Sequence, residues 1–169
     1  MRAESESSQG HRDTVRKVTA GDRGPLVSII SRCANLTNDE KACATELLDI
    51  YIKDPLQKDY EFKASVDDAG VVTGYICYGR RPLTEAGFDI YWIVVDPQRR
   101  RSGAGGQLLA IAETAMRKQG AKLIIAETSG TAAYTAARGF YLKSGFNEEA
   151  RVKDFYKPGD DLVMYIKRF

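Results

Sequence analysis

The chain is poor in the residues that carry metal and imidazole chemistry. It has one histidine, His11, and three cysteines, Cys33, Cys43 and Cys77, an odd number without Cys-x-x-Cys spacing. A disulfide framework and a metal site are therefore not expected. A Ser- or Cys-based triad would have to recruit that one histidine. No apolar run approaches the roughly 20 residues that a membrane helix needs, so no membrane partner is expected. Charge of one sign is lacking too: 25 Lys and Arg stand against 23 Asp and Glu. This balance argues against a nucleic-acid coat, which shows a gross basic bias. The opening MRAESESSQ lacks the apolar core of a signal peptide. The expectation is a flexible polar tail over 1–11 and a cytoplasmic location.

What is present looks globular: 43% hydrophobic and 28% charged residues in a chain of 169, enough for one domain over 12–169. Thr14–Thr19 alternates like a strand. Pro25 suits a helix start, with Leu26, Ile29 and Ile30 at helical spacing. Asn38 is a plausible N-cap for a second helix, which Pro55 ends. Tyr60–Val66 and Val71–Tyr78 flank Asp67-Asp68-Ala69-Gly70, a hairpin signal. Phe88–Val95 is strand-like and stops at Asp96-Pro97. A helix with Leu108, Ile111, Ala112, Ala115 and Met116 on its apolar stripe follows and ends at Gly120. Lys122–Ala126 reads as a buried strand, Thr131–Ser144 as a helix and Leu162–Lys167 as the last strand. The order predicts an α/β domain: a mixed sheet with helices on both faces.

Val95–Gly106 reads VDPQRRRSGAGG. Gly103, Gly105 and Gly106 lie where a strand becomes a helix. The backbone can pass close to a ligand there, and the helix start offers unpaired N–H groups to an anion. Arg99, Arg100 and Arg101 add positive charge. The segment is neither a P-loop nor a dinucleotide GxGxxG, since Leu108 holds the third glycine position. On these residues alone, an anion cradle and a plain glycine turn with solvated arginines stay equally open.

The segment resembles the acetyl-CoA motif V-x-P-x-x-[RQ]-x-x-G-x-[GA] of the GNAT superfamily of N-acetyltransferases, matched by Val95, Pro97, Arg100, Gly103 and Gly105. Ala137, Phe140, Tyr141, Gly145 and Phe146 fit a second family pattern, N-x-x-A-x-x-[LF]-Y-x-x-x-G-F, with Tyr134 in place of its Asn. The resemblance implies a GNAT fold: a twisted, mostly antiparallel sheet of about seven strands. It also implies acetyl-CoA as co-substrate, held by the amides of Arg101, Ser102, Gly103, Ala104, Gly105 and Gly106, with Arg100, Val94, Val95, Tyr134, Ala137 and Tyr141 beside it. The strands ending at Val95 and Ala126 are expected to splay around the thioester, and an N–H near Val94 or Val95 to receive the oxyanion. Tyr141 takes the place of the family's general acid. Glu127 is the first choice for the base, ahead of Asp89 and Glu85.

Glu148–Asp161 holds five acidic and three basic residues and suits a cationic amine. Its Phe155-Tyr156 is similar to the paired aromatics between the last two strands of protein N-acetyltransferases. The expected reaction moves acetyl from acetyl-CoA to a primary amine, small or peptide, by direct attack in a ternary complex. The rival reading is a non-catalytic acyl-CoA binding domain. A second rival, nucleic-acid binding through Arg99–Arg101, rests on too few residues. Self-association as a homodimer is left open.

Overall fold

A computed structural model describes residues 13–169 of the chain; the predicted tail and His11 lie outside the described residues. Seven strands form one sheet in the order β1-β2-β3-β4-β5-β7-β6. They are β1 (Thr14–Lys17), β2 (Glu61–Val66), β3 (Val72–Arg80), β4 (Gly87–Val95), β5 (Leu123–Ser129), β6 (Asn147–Lys157) and β7 (Asp160–Arg168). Every neighbouring pair is antiparallel except β4 and β5, which are parallel.

Helices cover both faces. On one, α1 (Arg23–Arg32) and α2 (Asn38–Lys53) pack Leu26, Ile29, Ile30, Ala44 and Leu48 against Phe62, Tyr75 and Val94. On the other, α3 (Ala104–Lys118) and α4 (Thr135–Lys143) pack Leu108, Leu109, Ala112, Met116 and Tyr141 against Ile76, Ile90, Ile124 and Val163. No helix among the described residues is long and apolar enough to cross a membrane.

Several local expectations need correction. The α2 N-cap is Thr37, not Asn38: its hydroxyl accepts from the Glu40 N–H, and the Glu40 carboxylate accepts from the Thr37 N–H, a reciprocal capping box. Ile111 is 44% exposed, because Leu109 takes the inward position. The predicted Thr131–Ser144 helix is shorter. A 3-10 turn covers Ala132–Tyr134 and α4 starts at Thr135. Tyr134 therefore caps the helix and does not share a regular face with Ala137 and Tyr141. The Glu148–Asp161 segment is mostly strand: β6 is an exposed edge strand. Phe155 and Tyr156 lie in it between Val152 and Lys157, where its pairing with β7 is interrupted.

The sheet is opened by two features of β4. Cys77 pairs with Trp92 and Tyr78 with Ile90, so Tyr91 is an extra residue. Such a bulge shifts side-chain parity and bends the strand. Consequently Ile90, Ile93 and Val95 all serve the α3–α4 face. In addition, β4 pairs with β5 only from Gly87↔Leu123 to Ile90↔Ala126, although both strands continue. Beyond Ile90 the two strands part, and the β5-facing backbone of residues 91–95 has no strand beside it.

Candidate active site

The turn leaving β4 is built by Asp96. Its carboxylate accepts from the Gln98 N–H at 3.1 Å and from Arg32 at 2.7 Å. Burial pushes this carboxyl up, but those bonds outweigh it and hold it below its ordinary value. The Asp96 N–H donates to the Thr73 carbonyl at 2.8 Å. Arg99 reaches across to Asp67 at 2.6 Å, which pins the turn to the β2–β3 hairpin. Arg99 is thus an anchor, while Arg100 and Arg101 stay exposed.

The chain then enters α3 through two left-handed residues, Arg101 at φ 69° and Gly103 at φ 87°. The first intrahelical bond runs from the Gln107 N–H to the Gly103 carbonyl at 3.1 Å. The N–H groups of Gly105 and Gly106 precede it and are left without an intrahelical acceptor. A Cβ on Gly103 or Gly106 would meet nothing within 4 Å. The space beside Gly103 and Gly106 is open, as close approach of a phosphate requires. Gly105 faces inward; a Cβ there would lie 3.5 Å from Phe140 and 3.6 Å from Val95.

Tyr141 is buried in the α3–α4 core. It stacks on Tyr165 at 5.8 Å between centroids and lies beside Phe146 at 5.4 Å and Phe140 at 5.6 Å. Burial raises its phenol well above the ordinary value and is its one perturbing influence. Its proton therefore stays in place throughout the neutral range.

The two leading carboxylates are brought together. Asp89 pairs with Ile125, and Glu127 lies two residues further along β5, so both side chains share one face. One Arg81 nitrogen stands 2.9 Å from Asp89 and 3.3 Å from Glu127. Asp89 is buried, and that burial, outweighing Arg81, raises its carboxyl above the ordinary value. Glu127 is more open, its side chain 37% exposed, and it lies within β5 where the strand predicted over Lys122–Ala126 was expected to have ended. Glu85 is exposed in the β3–β4 turn.

Sequence reasoning missed three participants. Arg81 gave no signal, since its partners are 8 and 46 residues away. Arg138 donates to the Ser129 and Thr131 carbonyls, each at 2.7 Å, and fixes the end of β5. Glu40 accepts from the Tyr134 hydroxyl across 94 residues. Tyr134 thus turns toward α2. The acidic character of the last strands is also reduced: Arg151 pairs with Glu148 and Asp161, and Arg168 with Glu149.

The sequence and the fold both have relatives among known proteins. The acetyltransferase (GNAT) domain profile matches residues 60–148. A GNAT-family protein from Desulfovibrio desulfuricans is 35% identical, with a TM-score of 0.87 over 92% of this chain and 98% of that one. Ribosomal-protein-alanine N-acetyltransferase from Brucella melitensis shares the fold at 21% identity, with a TM-score of 0.72 over 92% and 99% of the two chains. An aminoglycoside 6'-N-acetyltransferase complexed with coenzyme A does so at 15% identity, with a TM-score of 0.70 over 92% and 96%. No curated protein matches the chain. The turn after β4, the parting of β4 and β5, the matched profile and the 35% identical relative lead to one conclusion: the chain belongs to the GNAT family of acetyltransferases.

Proposed function

We propose that the protein transfers the acetyl group of acetyl-CoA to a primary amine, by direct attack of the amine on the thioester in a ternary complex. The observation that carries this reading is the loss of β4–β5 pairing beyond Ile90↔Ala126, directly before the glycine turn. A thioester in that gap can receive a hydrogen bond from the Val95 N–H, which faces away from β3 because the next N–H, of Asp96, donates to Thr73. Charge developing on its carbonyl oxygen would be stabilised there. The open amides of Gly105 and Gly106, next to Arg100 and Arg101, fit the pyrophosphate of the cofactor. A GNAT neighbour bound to coenzyme A supports acetyl-CoA as the co-substrate.

Glu127 takes the amine's proton through a water. Its exposure supports this choice over Asp89, which is buried and held by Arg81. Tyr141 protonates the departing thiolate. An unperturbed phenol is about 1.5 pKa units weaker than a thiol, about 2 kcal/mol uphill. Burial of Tyr141 would widen that gap against a solvated thiol. A thiolate leaving into the same dry space is desolvated as well, which raises its own basicity and restores much of the match.

The acceptor is a primary amine of a small molecule, a peptide or a protein. The test is thiol release from acetyl-CoA over a panel of small amines and peptides, with product masses. Amine-dependent release and a product heavier by one acetyl group support the reading. Tight acetyl-CoA binding with no release for any amine favours a non-catalytic acyl-CoA binding domain.

A further inference from the structure

Arg81 directly follows β3, which ends at Arg80. Its backbone N–H closes the β3–β4 turn on the Gly87 carbonyl at 2.9 Å. Its side chain joins two carboxylates from two parallel strands, Asp89 at 2.9 Å and Glu127 at 3.3 Å. The partners differ in exposure: the Asp89 side chain is 11% exposed and that of Glu127 37%. The shorter bond is to the buried partner and the longer one to the open partner. That is the arrangement of an anchor and a guided group. We infer that Arg81 is a positioning residue for acetyl transfer: held on Asp89, its guanidinium keeps Glu127 aimed into the opening between β4 and β5. This inference rests on Glu127 acting as the base.

The electrostatics support the geometry. Two carboxylates on one face of adjacent strands repel, and a cation between them offsets that repulsion. The other titratable groups near the pair are phenols. Tyr91, on β4, is pushed up to about 12 by burial and then by Asp89. Tyr60, ahead of β2, meets Tyr91 edge-on at 5.3 Å. Tyr156, on β6, is raised by burial and then by Glu127, Asp160 and Glu40. Neutral phenols cannot replace the Arg81 charge, and Asp160 and Glu40 only add negative potential.

The experiment is the steady-state kcat and KM for one amine and for acetyl-CoA, with Arg81→Ala, Arg81→Lys, Asp89→Asn and Glu127→Gln. Arg81→Ala is expected to lower kcat about tenfold or more with KM for acetyl-CoA unchanged. Arg81→Lys should restore much of the loss, because a cation again lies between the two carboxylates. Should Arg81→Ala fail to fold, Asp89→Asn decides: with the anchor gone, kcat falls while KM for acetyl-CoA holds. Wild-type kcat in Arg81→Ala, or in Asp89→Asn, overturns the positioning role. If Glu127→Gln loses activity at the same time, the base assignment survives. Wild-type turnover in Glu127→Gln overturns both.

Discussion

The Tyr134 hydroxyl donates to the Glu40 carboxylate and ties the start of α4 to the first turn of α2. Burial pushes the Glu40 carboxyl up, but the bonds from Tyr134 and Thr37 outweigh it and hold it below its ordinary value. The two helices pack on opposite faces of the sheet, so this bond closes the molecule around the end of β5.

Tyr134→Phe removes that donor and leaves the ring in place. Hydrogen bonds to charged groups contribute about 1.5–3 kcal/mol, and partial exposure of this pair puts the loss near the lower end. Urea unfolding should show a lower midpoint. A wild-type midpoint would mean that the bridge adds nothing to stability.

Tyr141→Phe keeps the stacked ring and deletes the proton. Turnover should fall about 10²-fold or more while the affinity for CoA changes little. Since burial lifts the phenol far from neutrality, the wild-type pH profile should show no limb from Tyr141 between pH 6 and pH 9. Unchanged turnover in the variant would remove Tyr141 from the mechanism.

Gly103 and Gly106 separate folding from binding. Both have open space where a Cβ would go, but only Gly103 is left-handed, at φ 87°. Gly103→Val should cost stability by roughly 1–2 kcal/mol as well as CoA affinity. Gly106→Ala sits in a helix, where alanine is favoured by up to about 1 kcal/mol; its melting temperature should hold or rise. Its CoA affinity should still drop, because a methyl group would occupy open space beside the proposed phosphate site. Isothermal titration giving wild-type affinity for Gly106→Ala would refute the phosphate assignment there.

Asp22 sets part of the acid stability. Arg16 donates to it at 2.7 and 2.8 Å. The Arg16 bonds, with the Thr19 bonds, outweigh burial and bring its carboxyl to about 2. Because the folded value is depressed, the stabilisation is complete above the unfolded value near 4 and is lost as pH falls through about 2. It amounts to about 2 kcal/mol. Asp22→Asn should lower stability at pH 7 and flatten its fall between pH 4 and pH 2. An equally steep fall in the variant would assign that acid sensitivity elsewhere.

The glycine turn after β4 was legible in the sequence because its pattern is local: Val95, Pro97, Gly103 and Gly105 lie within one segment. Element order was legible for the same reason, since Leu26, Ile29 and Ile30 or Phe88–Val95 announce their period by themselves. The carboxylate cluster is assembled from distant parts. Arg81 meets Asp89 and Glu127 through strand register, and Glu40 meets Tyr134 through helix packing, which spacing does not reveal. β6 was hard to read because an edge strand exposed on both sides carries no alternation of polar and apolar residues. Tyr134 was misplaced because its hydrogen bond to Glu40 and the 3-10 turn before it override the helical pattern that Ala137 and Tyr141 suggest.

The central claim is direct attack on the thioester between β4 and β5, with no acyl-enzyme. Initial rates measured while acetyl-CoA and the amine are varied together test it most directly. The account predicts reciprocal plots that intersect, because both substrates must be bound before any product leaves. Parallel lines, the mark of an acetyl group carried on the protein, would contradict it.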